Sequence, residues 1–219
     1  MKEILNLTLA LGSVCLVASG VLAFSYYKTI DRQKAAAREE RTQALRQVLP
    51  DFTNNPMKNK ATVTHKNTSV TFFRALKNGE LVGLAARGVT QKGYGGTIKL
   101  LIGLTPKGDI SKIVTTQHQE TPGLGTKALV RQASKTIGDV LSGEKDKSKK
   151  TSLPPNDYLN QYEKYSLAEG RTFKVSKNGG KIDAVSGATI TSSAVADAVS
   201  KVSRVFTHNR KKIIKGTEK

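Results

Sequence analysis

A nucleophile beside small residues stands near the C-terminus, in Asp183-Ala184-Val185-Ser186-Gly187-Ala188-Thr189 running into Ile190-Thr191-Ser192-Ser193. The string predicts a strand end, a tight turn and the first turn of a helix. It sets a hydroxyl nucleophile, Thr189, at a helix N-terminus, where backbone N–H groups without intrahelical partners favour a phosphate. This is chemistry for holding a phosphorylated cofactor, with Thr189 Oγ available for a covalent bond. The plainer role for Thr189 or Thr191 is a helix N-cap, worth about 1 kcal/mol.

Two further glycine-bearing segments flank predicted strands: Gly93-Tyr94-Gly95-Gly96 and Glu120-Thr121-Pro122-Gly123-Leu124-Gly125-Thr126. Glycine permits positive φ and lets a backbone approach a ligand closely, although glycine-rich turns are also ordinary connections. The plainer roles are a half-buried strand-edge aromatic for Tyr94, a surface carboxylate for Glu120 and a surface histidine for His118. Other chemistries lack their patterns. There is no Walker A string and no Gly-x-Gly-x-x-Gly after a predicted strand, and no Gly-x-Ser-x-Gly elbow. The three histidines, His65, His118 and His208, are too widely spaced for a zinc hydrolase. The lone Cys15 supports neither an intrachain disulfide nor a multi-cysteine metal site. The chain is built for cofactor holding rather than independent hydrolysis.

The elements that must position these loops can be read from the patterning. Val70–Leu76, Leu81–Val89, Thr97–Leu104 and Ile110–Gln117 predict four antiparallel strands in a meander. Asn78-Gly79 between the first two is a hairpin signal. Helices are predicted over Ala128–Leu141 and Asp157–Leu167, with a charged loop at Lys145–Lys150 between them. Thr172–Val175 and Ile182–Val185 suggest short strands. The last helix, Ile190–Phe206, carries Ile190, Ala194, Ala198 and Val202 on one face. Arg210–Lys219 reads as a basic tail without structure.

The formal net charge of +19 first suggests nucleic acid. The basic residues are scattered, however, and no zinc-finger, helix-turn-helix or RNP-type motif accompanies them, so no nucleic-acid partner is expected. An anionic lipid leaflet or an acidic protein is the other reading of that charge. Ile4 to Tyr27 holds no charged residue. As a helix it would run about 36 Å, enough for a hydrocarbon core of about 30 Å. Gly12, Ser13, Ser19 and Gly20 would let another helix approach closely. A retained single-pass anchor is expected rather than a cleaved signal peptide, because the apolar run is too long and its leading segment is only Lys2-Glu3. Lys28, Arg32 and Lys34 outnumber Lys2, which by the positive-inside rule would keep the following domain in the cytoplasm, but long domains translocate largely regardless of local charge. Asp31–Leu49 predicts a helix continuing from the membrane and stopping at Pro50, with Leu45, Val48 and Leu49 starting the domain. Residues 51–60 read as a linker.

The Asp183–Thr189 string, Glu120–Gly125 and Gly93–Gly96 are specific together, though none is alone. With the N-terminal apolar helix, they resemble the G subunit of the Rnf electron-transport complex, an ion-translocating ferredoxin:NAD oxidoreductase. That family is related to the C subunit of the sodium-pumping NADH:quinone reductase. The resemblance covers essentially the whole chain, and its length favours the Rnf family. It implies an α+β fold: a transmembrane anchor (1–27), a helical stalk and linker (28–60), an FMN-binding domain with an antiparallel sheet flanked by helices (61–207), and a basic tail (208–219). It implies FMN joined through its phosphate to Thr189 by a separate flavin transferase that uses FAD, with Asp183 in the recognition motif and Ser186, Gly187 and Ala188 around the attachment point. Glu120, Thr121, Leu124, Gly125, Tyr94, Gly95 and Gly96 would contact the cofactor. The implied role is an electron relay among flavin and iron–sulfur subunits, not an independent enzyme. The flavin domain would lie on the extracytoplasmic side of the cytoplasmic (inner) membrane. The competing readings are the sodium-pump relative, a membrane-anchored flavin sensor, and a structural module without flavin.

Overall fold

The computed structural model describes residues 1–131 and 155–216. The charged loop expected at Lys145–Lys150, and most of the helix expected over Ala128–Leu141, lie outside them. Helix α1 spans Lys2–Val48. The chain divides into two units, Met1–Thr42 and Gln43–Lys219. In the first unit the apolar stretch of α1 is solvent-exposed along its length, and it is long and apolar enough to cross a membrane.

The second unit is built on one five-stranded antiparallel meander in sequence order. Its strands are β1 (Lys60–His65), β2 (Thr68–Lys77), β3 (Glu80–Gly93), β4 (Gly96–Leu104) and β5 (Ile110–Gln117). Short helices α2 (Gly125–Leu129) and α3 (Asp157–Asn160) follow, and the long α4 (Thr189–Lys215) closes the described chain. The Asn-Gly hairpin forms as expected, with both Asn78 and Gly79 at positive φ, the geometry that matches strand twist.

One face of the sheet packs on α4. Phe72, Leu84, Ile98, Leu100, Ile102 and Ile113 from the strands meet Val195, Val199, Val202 and Phe206 in a single cluster. Each such fully buried side chain contributes about 1.5–3 kcal/mol by removal from water. Gly88 lies directly over Ala198 and Val202, so small residues on both elements bring helix and sheet close. The opposite face holds a smaller cluster in which Leu45, Val48 and Leu49 pack with Phe73, Ala75, Ala85 and Leu101. Leu45, Val48 and Leu49 at the end of α1 thus pack on the sheet of the second unit.

Several elements depart from the sequence reading. The sheet has a fifth strand, β1, whose Lys-Ala-Thr-Val-Thr-His pattern buries only Ala61 and Val63. An edge strand with one sparse apolar face gives a weak signal. The helix expected through Leu167 unwinds after Asn160 into a 3₁₀ turn, Gln161–Lys164. The backbone beyond it turns back to the sheet, where Ile110 N donates to Tyr165 O at 3.0 Å and Asp109 bridges Ser166. The two short strands near Val175 and Ile182 reduce to one parallel bridge between those residues. Finally, the basic tail is helical as far as Lys215. Ile213 is buried there, and the Arg74 guanidinium donates to Ile214 O at 2.7 Å.

Candidate functional site

The site begins with the turn into α4. Ala188 N donates to Val185 O at 2.9 Å and Ser192 N to Ala188 O at 2.9 Å. Val185 N donates to Ser192 Oγ at 3.1 Å. Gly187 stands at φ +77, a conformation a β-carbon disfavours. Ala188 occupies the N-cap position and supplies no side-chain acceptor. The N–H groups of the first turn are therefore left uncapped beside Thr189, which is half-buried. This is the electrostatic setting that attracts a phosphate.

The two glycine-rich loops reach this turn through Glu120. Its carboxylate is buried. Oε1 accepts from Gly95 N at 3.0 Å, and Oε2 accepts from Thr191 Oγ1 at 2.6 Å. Glu120 N donates in turn to His118 Nδ1 at 3.3 Å. One side chain thus ties the β3–β4 turn, the segment after β5 and the first turn of α4 together. Close packing enforces this. A β-carbon at Gly125 would stand 2.5 Å from Glu120 Oε2 and 2.9 Å from Thr191 Oγ1, and one at Gly95 would collide with the Gln119 carbonyl.

Around this node the domain exposes its apolar side chains. Among the described residues beyond α1, the exposed large hydrophobic ones are Val89, Tyr94, Leu124 and Ile190. Tyr94 (71% exposed), Leu124 (51%) and Ile190 (55%) belong to the three segments joined at Glu120, and Leu124 Cδ2 lies 3.5 Å from a β-carbon position at Gly187. An apolar rim at a polar, uncapped helix start suits an aromatic ligand with an anionic tail. On the other side of Thr189 a groove of about 590 Å³ follows α4 to Arg204, lined also by Lys92, Lys174, Asn178 and Asp197. Within it Asp197 accepts from Lys92 Nζ at 2.8 Å and pairs with Lys201 at 2.8 Å. Burial works against its ionisation, but the hydrogen bonds from Lys201 and Lys92 outweigh burial and hold the carboxyl below its usual range.

Of the residues expected at the site, Gly95, Glu120, Leu124, Gly125, Gly187, Ala188 and Thr189 are brought together with Thr191. Ser186 is exposed on the same turn, and Thr121 is exposed, its carbonyl accepting from Leu124 N and Thr126 N. Gly96 sits at φ +112 at the start of β4. Tyr94 projects from its turn instead of half-burying at a strand edge. Asp183 is turned away from Thr189: its carboxylate accepts from Ser176 Oγ at 2.8 Å, and its backbone exchanges hydrogen bonds with the Gln161 side chain. Glu120 is not the surface carboxylate its plain reading suggested. Thr191 was legible only as a cap, because its partner is 71 residues away. Among the described residues no group of His, Cys, Asp and Glu lies together to hold a metal ion.

The fold and this node define a class, the FMN-binding domain, whose family model matches residues 93–203. That span runs from the first glycine-rich turn to the middle of α4 and contains every expected site residue. The chain belongs to this family, and within it to the relatives named as the G subunit of the ion-translocating oxidoreductase complex. It is 29% identical to the Shewanella piezotolerans protein of that name, over 97% of this chain and 94% of the relative. It is 30% identical to the Haemophilus influenzae protein, over 91% and 88%, and 29% identical to the Vibrio cholerae protein, over 84% and 81%.

Proposed function

We propose that this protein is the electron-relay subunit of a membrane-bound ion-translocating ferredoxin:NAD oxidoreductase, carrying FMN as a phosphoester on Thr189. The observation that supports this most is the uncapped start of α4, where a hydroxyl and free backbone N–H groups meet at a glycine turn. The residues fit the group: the first-turn donors and the cations of the adjoining groove suit its phosphate, and the rim of Tyr94, Leu124 and Ile190 suits its ring. Bound FMN supplies the redox chemistry, exchanging electrons singly or in pairs.

The chain's own residues have three tasks. Thr189 Oγ takes the phosphoryl group during maturation: the Oγ–P bond forms, the phosphoanhydride bond of FAD breaks, AMP leaves, and the hydroxyl proton passes to a base of the flavin transferase. The exposed Ser186 and Gly187 leave this atom reachable by another enzyme. The Glu120 node fixes the Gly93–Gly96 turn against α4, so the walls of the site are held before the cofactor arrives. The covalent link prevents loss of the cofactor, which matters on the extracytoplasmic side, where this reading puts the domain. The relatives' name implies further subunits as partners, and one uncharged helix has no path for an ion, so translocation belongs to the complex.

The test is an intact-mass spectrum of the protein purified from its native membrane, followed by peptide mapping. An added FMN less water on the Thr189 peptide is the expected result. An unmodified mass from cells with an active flavin transferase would overturn the covalent reading.

A further inference from the structure

The charge of this protein is not spread evenly. Residues 52–79 carry five Lys or Arg and no Asp or Glu, and residues 198–216 carry six and none. The fold puts these two stretches side by side. The His65 and His208 rings meet with centroids 4.2 Å apart, and further along Arg74 donates to Ile214 O. The C-terminal half of α4 thus lies along the β1–β2 hairpin. Lys66 at the tip of the hairpin is exposed, as are Arg204, Lys211 and Lys215 of α4. The last three follow helical spacing with His208 between them and share one side of the helix. No described carboxylate pairs with any of these four. Buried Ile213 and the Arg74 contact hold this end of the helix in place, so the cations are displayed on a fixed surface instead of a loose tail. Desolvation, and then the charges of His208, Lys66 and Arg204, push the His65 imidazole below its ordinary value.

We propose that this face, the β1–β2 hairpin with the C-terminal half of α4, docks on a leaflet of anionic phospholipid. Two observations select lipid over an acidic protein. The face has no apolar anchor: every exposed large hydrophobic residue beyond α1 lies outside both stretches, whereas protein interfaces are centred on buried apolar and aromatic side chains. A plane of phosphate headgroups needs only cations, each near the surface adding attraction that falls off within a Debye length. The chain also carries its own candidate membrane helix, which would tether the domain covalently to a bilayer. Thr189 and Lys215 stand at opposite ends of α4, about 39 Å apart along the helix. Docking by one end therefore leaves the flavin site at the other free for redox partners. This inference goes beyond the flavin reading and rests on the membrane anchor alone.

The experiment uses the full chain in lipid nanodiscs of phosphatidylcholine, alone or mixed with phosphatidylglycerol. Lysine acylation is followed residue by residue by mass spectrometry. Modification of Lys66, Lys211 and Lys215 is expected to slow about fivefold on the anionic discs. The protection should vanish near 1 M salt, where the Debye length is about 3 Å. Lys127 and Lys177, exposed near the Thr189 end, serve as controls whose rates should not change. Equal rates on both discs would overturn the proposal. Protection that arises only when the other subunits are present would also overturn it, and would assign the face to an acidic protein surface. The readout is independent of attached flavin, so failure here leaves the flavin reading intact.

Discussion

Helices α3 and α4 begin in opposite ways. The four-residue α3 starts behind Asn156, whose side chain accepts from Leu159 N at 2.9 Å and donates to the carbonyls of Lys127 and Val130. The 27-residue α4 starts behind Ala188, with no side-chain cap. A short helix cannot persist on its own backbone bonds, so its cap is structural. The long helix is secured by its buried face of Ala194, Val195, Ala198, Val199 and Val202 and can leave its first-turn donors open. The uncapped start is also where the hydroxyl, the glycine turn and the exposed apolar rim converge. A missing cap on a helix that does not need one points to a ligand position.

Thr189→Ala should have the largest effect at the uncapped helix start. All covalent flavin should be lost while the circular dichroism spectrum and thermal midpoint stay close to wild type, and intact flavin in the variant would refute the assignment. Asn156→Ala should act only on folding, costing about 2 kcal/mol because a cap and two partly buried hydrogen bonds to carbonyls go together. Chemical denaturation reads it, and flavin on the surviving folded protein should be unchanged. Thr191→Val removes the hydroxyl bonded to the Glu120 carboxylate and should cost about 1.5–2 kcal/mol. Hydrogen exchange should also accelerate in the Gly93–Gly96 turn; if that turn keeps its protection, the Glu120 node does not hold it. Ala188→Ser would supply the missing cap, with an expected gain of about 0.5–1 kcal/mol. Flavin attachment by the transferase should slow, and a wild-type rate would show that the free donors have no part in the site.

The smallest effect concerns Asp197 in the adjoining groove. Its folded carboxyl lies below its ordinary value, so its ionic contacts add stability above the unfolded carboxylate range, and this is lost as pH falls through the folded value. The pairs are partly solvated, with Lys92 68% exposed, so the contribution is below about 1 kcal/mol. Asp197→Asn should flatten the acid limb of a stability–pH profile by that amount and leave neutral-pH flavin attachment unaltered.

Much of this protein could be read along the chain because it rests on local chemistry. The Asn-Gly hairpin follows from the positive φ those residues tolerate, the apolar helix from an uninterrupted run without charge, and the Thr189 turn from small residues before a helix. Four of the five strands show regular apolar runs, while β1 needed β2 beside it to be a strand at all. The extension of α4 to Lys215 was hidden by a basic sequence that only Arg74 and the sheet make helical.

Local sequence carries the class of ligand chemistry: a nucleophilic hydroxyl beside glycine at a helix start, and two glycine loops that admit a close approach. Tertiary structure decided how these pieces become one site. Glu120 reads as a surface carboxylate until folding removes it from water. It then requires donors, and the nearest are Gly95 N–H and the Thr191 hydroxyl. Tertiary structure also gathered the cations, since charges separated by more than a hundred residues share a face only after α4 lies down along β1 and β2. Local propensity is written in neighbouring residues, whereas the burial of a charge and the sum of a surface field depend on residues far apart in sequence.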